Sequence, residues 1–244
     1  MCTSFTGTFY LPSGLTHLSE STFGDCAGLT SIVLPEGLQS IGASVFEGCS
    51  GLLGTISIPS AVINIEESTF ENCSSLSEVV LSENLQSIGE SAFQNCSELS
   101  EILLPESIQS IGKSAFLNCS GLQSIKIPSG ITKIESYTFE NCAGLKEVLL
   151  PENLQYLGSS VFRNCSSLQS VIIPESVSEI GDRAFEDCAA LKDVTMMPIE
   201  PPILGSRILG YDNTTTVIKV PVGTIDAYNA AFAEDGYLVI EQEY

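Results

Sequence analysis

The feature that most constrains this chain is a repeat. Phenylalanine recurs at Phe23, Phe46, Phe70, Phe93, Phe116, Phe139, Phe162 and Phe185, and cysteine three places later at Cys26, Cys49, Cys73, Cys96, Cys119, Cys142, Cys165 and Cys188. The step is 23 residues, with one step of 24 in each series. A period within roughly 20 to 50 residues is the mark of a solenoid, whose units bury their apolar side only by stacking on their neighbours. A lone unit offers too few apolar side chains to offset the ordering of its own backbone.

Residues 99–121, LSEILLPESIQSIGKSAFLNCSG, carry the unit, and eight copies run over 5–28, 29–51, 52–75, 76–98, 99–121, 122–144, 145–167 and 168–190. Each opens with an alternating stretch: Leu99, Ile102 and Leu104 for the core, Glu101 and Leu103 for the other side. Period-two alternation predicts a strand with one buried face, and stacking in register predicts one parallel sheet. Proline ends the strand at Pro12, Pro35, Pro59, Pro105, Pro128, Pro151 and Pro174, with Ser82 the exception. Lacking an N–H for the ladder, proline belongs where pairing stops. Two further apolar columns follow, one through Leu85, Ile108 and Ile131, the other through Ile88, Ile111 and Ile134. Glycine after the second column, as at Gly89 and Gly112, permits a turn into the SAF, SVF or STF segment. That segment is too short for a regular helix and is expected to be a helical turn or irregular stretch on the outer side. The Asn or Asp before each cysteine is expected to close a local turn on its own backbone.

Composition narrows the function classes. Nine basic against 30 acidic residues give a net charge of −21, and residues 1–112 hold 13 acids and no Lys or Arg, leaving 17 acids (30 minus 13) for residues 113–244. Such a surface repels phosphate backbones and anionic headgroups, so neither nucleic acid nor direct membrane insertion is expected. No long apolar run offers a membrane span. Nine cysteines raise the question of disulfides. Equal positions of successive coils lie about 4.8 Å apart, whereas bridged Cβ atoms sit near about 3.8 Å, so the column reads as buried thiols. With no CxxC pair and His17 the only histidine, metal and cofactor sites are not expected. No hydrolase triad motif accompanies that histidine, and the chain is read as no enzyme. The Asn-Cys-Ser sequons at Asn72, Asn95, Asn118 and Asn164 read as by-products of the repeat, and Asn213 adds a further formal match.

The start CTSFTGTFYLPSG aligns with CSGLLGTISIPSA at 49–61, so the array is expected to begin inside a repeat, leaving an edge open to edge-to-edge self-association. The opening MCTSF lacks a charged head and an apolar stretch, so any secretion signal is expected to be already removed or never present. The rhythm fails from Met196. The expected division is a repeat array over 1–195 and a capping segment over 196–244, with a strand at Thr215 to Val220, a turn and helix from Pro221 to Phe232, and a closing strand at Tyr237 to Ile240.

The pattern LxxIxIPxxVxxIGxxAFxxCxx, which 99–121 follow almost without departure, resembles the leucine-rich repeats of BspA-like bacterial surface proteins, and VIKVPVGTIDAYNAAF is similar to their end segments. The resemblance implies an α/β repeat solenoid: a leucine-rich repeat right-handed superhelix with one long parallel β-sheet, short helical or irregular segments on its outer side and a C-terminal cap. It further implies a cell-surface or secreted, extracellular protein with a role in adhesion to host matrix or other cells.

The candidate surface is the solvent side of the sheet, where side chains change from unit to unit. One column reads Ser31, Thr55, Glu78, Glu101, Ser124, Glu147, Ser170 and Asp193, the other Val33, Ser57, Val80, Leu103, Lys126, Leu149, Ile172 and Thr195. Val33, Val80, Leu103, Leu149 and Ile172 beside Glu78, Glu101, Glu147 and Lys126 would form a partly hydrophobic, acidic strip for a protein partner. Strand propensity alone would also tolerate β-branched residues there. A non-catalytic recognition or adhesion protein is the leading expectation; a structural spacer of a larger surface protein and a carbohydrate-active β-helix enzyme are the alternatives.

Overall fold

In a computed structural model the described residues are 8–210, 215–233 and 237–242. The alternating stretches form strands at Thr8–Tyr10, Ser31–Val33, Gly54–Ser57, Leu76–Val80, Ser124–Lys126, Glu147–Leu149, Ser170–Ile173 and Asp193–Met196. Where neighbours pair they do so in parallel and in register, Ile56 against Val79 and Val171 against Val194. Beyond the last full unit the sheet continues through Val217–Val220 and Leu238–Glu241, with the helix Ile225–Ala231 between them. Tyr228 of that helix is fully buried and its hydroxyl donates to the Pro198 carbonyl at 2.8 Å.

The turn after each strand is closed by the proline carbonyl, which accepts the N–H three residues on, as in Ile108 to Pro105 at 3.1 Å. Ser82 serves the same way for Leu85, and its Oγ also accepts the N–H of Asn84, so the one unit without proline keeps its turn. The second of the apolar columns that follow lies in a further parallel ladder of two-residue strands, among them Ser87–Ile88, Ser110–Ile111, Lys133–Ile134 and Tyr156–Leu157. Here glycine answers to space. A Cβ on Gly89 would stand 2.6 Å from the Glu67 nitrogen of the preceding coil, and one on Gly158 2.4 Å from that of Ser136. Where Ser19, Glu66 or Glu135 replaces that glycine, a threonine follows three residues later, and the hydroxyls of Thr22, Thr69 and Thr138 donate to the carbonyls of Ser19, Glu66 and Glu135 at 2.6, 2.8 and 2.7 Å.

The outer segment is the irregular alternative, a run of turns without helix. Its backbone twice enters the left-handed region per unit, as at Ser91 (φ 54°) and Asn95 (φ 62°), a conformation asparagine tolerates better than most residues. Alternate N–H groups reach the next coil: Ser91 to Lys113, Phe93 to Ala115 and Asn95 to Leu117, at 3.0, 2.8 and 2.8 Å. The asparagine side chains form a column of their own. Each Nδ2 donates to the Oδ1 one coil earlier, from Asn164 through Asn141, Asn118 and Asn95 to Asn72, at 2.7 Å throughout. The local closure expected from the sequence is thus replaced by an amide ladder between coils.

Inside, the phenylalanine rings from Phe23 to Phe185 stack with centroids 5.3 to 5.6 Å apart and planes within 3 to 14° of parallel. The cysteines from Cys26 to Cys188 are buried. From Cys49 onward each Sγ donates to the phenylalanine carbonyl of the previous coil, as Cys96 does to Phe70 at 3.1 Å. Burial pushes these thiols up, Cys188 to about 12 and Cys73, Cys96, Cys119, Cys142 and Cys165 well above the usual range.

Two outcomes follow from this interior. Phe116→Ala removes a ring held between Phe93 and Phe139, and urea melts should show a loss of about 3–5 kcal/mol; a loss under about 1 kcal/mol would mean that the column does not carry the core. A thiol reagent should titrate at most one sulfur in the native protein, that of Cys2, which lies outside the described residues, and nine after denaturation. Several fast-reacting native thiols would contradict the buried column.

Candidate functional site

Strand alternation sends one set of side chains into the core and leaves the other in solvent. Ile102, Ile125, Val148 and Val171 are buried, while their neighbours Leu103, Leu149 and Ile172 are 76%, 51% and 62% exposed and Val33 and Val80 nearly half exposed. Glu78, Glu101, Lys126 and Glu147 stand exposed on the same face. Register confirms the two columns in part: Ser124 faces Glu147 and Lys126 faces Leu149, whereas Leu103 is flanked only by the bridge of Glu78 to Glu101. Sequence reasoning stopped short at both ends of the strip. Tyr10, 73% exposed, heads the column opposite Val33, and Lys219 and then Ile240 prolong it past Thr195. Tyr10 lies one period before Val33 and was findable; in the terminal coils the period slips, so alignment by count loses the column.

The cation in the middle of the strip is turned aside. Lys126 Nζ lies 2.7 Å from Glu106 Oε1, just past Pro105, and Glu106 Oε2 accepts the N–H and hydroxyl of Ser129, both at 3.0 Å. The lysine first, and then the serine, hold this carboxyl down at about 2. Glu78 accepts the hydroxyl of Thr55. None of Glu78, Glu101 and Glu147 is within ion-pair distance of a Lys or Arg, all of which are described, so the face stays acidic.

The long ladder is not continuous. Its hydrogen-bonded blocks end after Ser31–Val33, after Leu76–Val80 and after Glu147–Leu149, and residues 102–104 join neither side beyond the Glu101 bridge. Depressions open at the breaks: about 330 Å³ between Val33 and Ser57, about 190 Å³ between Leu103 and Lys126, and about 550 Å³ between Leu149 and Ile172. The arrangement offers apolar ledges, hydrogen-bond acceptors and negative charge in shallow, open sites. Among the described residues no three His, Cys, Asp or Glu side chains gather as a metal cage requires, and no helix is long and apolar enough to cross a membrane. His17 lies exposed on a two-residue strand with Nδ1 2.8 Å from the Thr16 hydroxyl.

The family described as BspA type leucine rich repeat region matches six copies over residues 1–119 and 86–201. Among solved structures, the leucine-rich repeat protein TpLRR of T. pallidum is 34% identical, with a TM-score of 0.63, over 66% of this chain and 77% of its own. A leucine-rich repeat protein of Bacteroides ovatus is 24% identical, with a TM-score of 0.72, over 97% of this chain. This chain spans 66% of that protein's length, and the likeness shows the shared fold. No curated protein matches.

One titration follows from the site. The Glu106 carboxyl should show an NMR midpoint near pH 2, and Lys126→Met should raise it toward 4.5. Because the folded value is depressed, whatever this group adds to stability is present above the unfolded value and fades as pH falls through about 2. A wild-type midpoint near 4.5 would show that the lysine contact does not persist in solution.

Proposed function

Since this chain belongs to the BspA-type leucine-rich repeat family, we propose that it is a non-catalytic, cell-surface or secreted recognition protein that binds a protein partner, on host matrix or another cell, through the exposed face of its long parallel sheet. The observation that carries this reading is the row of exposed apolar side chains, Val33, Val80, Leu103, Leu149 and Ile172, set over depressions and among unpaired carboxylates. Strand propensity does not account for Leu103 and Leu149, since leucine is not β-branched and each exposes more than half of its surface. Large apolar side chains gathered on one face are what a docking surface presents. A stack of coils offers the extended, shallow surface suited to another macromolecule.

Leu103→Glu and Leu149→Glu alter solvent-facing side chains and should leave the circular dichroism and melting of the protein unchanged. In binding to immobilised matrix-protein coats or whole cells, the pair should weaken retention at least tenfold, since an exposed charge would have to be desolvated against an acidic face. Undiminished retention by the folded double variant would exclude this face.

A further inference from the structure

An opening of about 550 Å³ on the sheet face lies between the strands Glu147–Leu149 and Ser170–Ile173, where the long ladder is broken while the short ladder runs on unbroken from Tyr156–Leu157 to Glu179–Ile180. Its apolar surface comes from Leu149, Ile172, Pro174 and Met197, and its rim carries Glu152 and Glu175. These two acids hold the same repeat position, just past Pro151 and Pro174 in successive coils, so their backbones stack about 4.8 Å apart. Both are exposed, and no Lys or Arg lies within ion-pair distance of either. Like charges held that close repel and gain from a shared cation.

The chain itself displays what this repeat position does when a cation is in reach. Glu106 is the residue past Pro105, and Lys126 occupies the face column that Leu149 and Ile172 continue. There the lysine lies along the face and places its ammonium 2.7 Å from the carboxylate. At the same offset from Glu152 and Glu175 the column supplies Ile172 and Thr195 instead of a lysine, which leaves both carboxylates without a cation and with the apolar ledge of Leu149 and Ile172 beside them.

We propose that this opening is a site for a Lys or Arg side chain of a basic, extended segment of the partner, its aliphatic stem on Leu149 and Ile172 and its charge between Glu152 and Glu175. Long cationic side chains lay their methylenes on apolar surface while keeping the charged head at polar groups, and guanidinium suits two carboxylates better than ammonium does. The net charge of −21 would draw a basic partner toward the face. This inference rests on the sheet face being the binding surface and names the chemistry it selects.

The test uses the blocked tripeptide Ac-Leu-Arg-Leu-NH₂ and its glutamate counterpart, titrated into the full chain while the methyl signals of Leu149, Ile172 and Met197 are followed by NMR. The arginine peptide should give saturable shifts at those three methyls, weakened several-fold by raised salt, and the glutamate peptide none. Glu152→Gln with Glu175→Gln should weaken binding at least tenfold, whereas Glu36→Gln with Glu83→Gln, at the same repeat position elsewhere, should leave it unchanged. Shifts that never saturate, that spread over the acidic surface, or that survive in the Glu152→Gln and Glu175→Gln variant would overturn the site. If the arginine peptide leaves those methyls unmoved while Leu103→Glu still abolishes retention on matrix coats, this inference fails alone and the broader reading stands.

Discussion

Everything in this molecule depends on like stacking on like at the spacing of a parallel sheet. Neighbouring coils lie about 4.8 Å apart along the backbone, and whatever occupies one position must tolerate its own kind directly above and below. Phenylalanine does so by an offset, near-parallel stack at 5.3 to 5.6 Å. Cysteine does so because a thiol is small and its weak donor finds a carbonyl of the coil below. Asparagine does so because its side chain holds a donor and an acceptor at one end, so that identical residues bond one another indefinitely. A carboxylate cannot, and the asparagine run is bounded by Gly48 on one side and Asp187 on the other; Asp187 lies 3.8 Å from Arg163 instead.

The same rule governs charge. On the outer turns one column reads Glu140, Arg163 and Glu186, alternating in sign, with contacts of 3.2 and 2.9 Å. Glu186, the one buried carboxylate of the described core, also meets Arg207 at 2.7 Å. A buried charge persists only when partnered. On the sheet face and at the post-proline turns pairing is partial: Lys126 meets Glu106 and Lys219 meets Asp193, while Glu101 follows Glu78 and Glu175 follows Glu152 with no cation between them. Within one chain, therefore, the buried carboxylate of the stack is ion-paired, while Glu78, Glu101, Glu147, Glu152 and Glu175 beside the apolar strip are not.

Much of this was legible before any coordinates. The phenylalanine and cysteine intervals give the solenoid, alternation gives the buried and exposed faces, and the helix Ile225–Ala231 that carries Tyr228 lies within the turn and helix expected from Pro221 to Phe232. The second ladder was hidden because strands of two residues, such as Ser110–Ile111, are too short to show a period. The asparagine ladder depends on the distance between coils, which local turn chemistry does not report, although five asparagines at one interval were a visible signal. The pairing of Glu66 with Thr69 and of Glu135 with Thr138 needs the coil below to explain it. The openings on the face lie where the long ladder is interrupted, as between Leu149 and Ile172, and no residue type marks those interruptions.

The measurement that bears most directly on the stacking rule is a pair of deletions that differ by one residue. Removing residues 99–121 takes out one full period; removing 99–120 leaves every later side chain one place out of phase with the coils before it. Denaturant unfolding of the two should differ sharply. The in-phase deletion should unfold cooperatively, with a slope reduced in proportion to the lost surface, and the out-of-phase one should lose its cooperative transition. Equal stability of the two deletions would contradict the account, because it would mean that the columns do not hold the coils together.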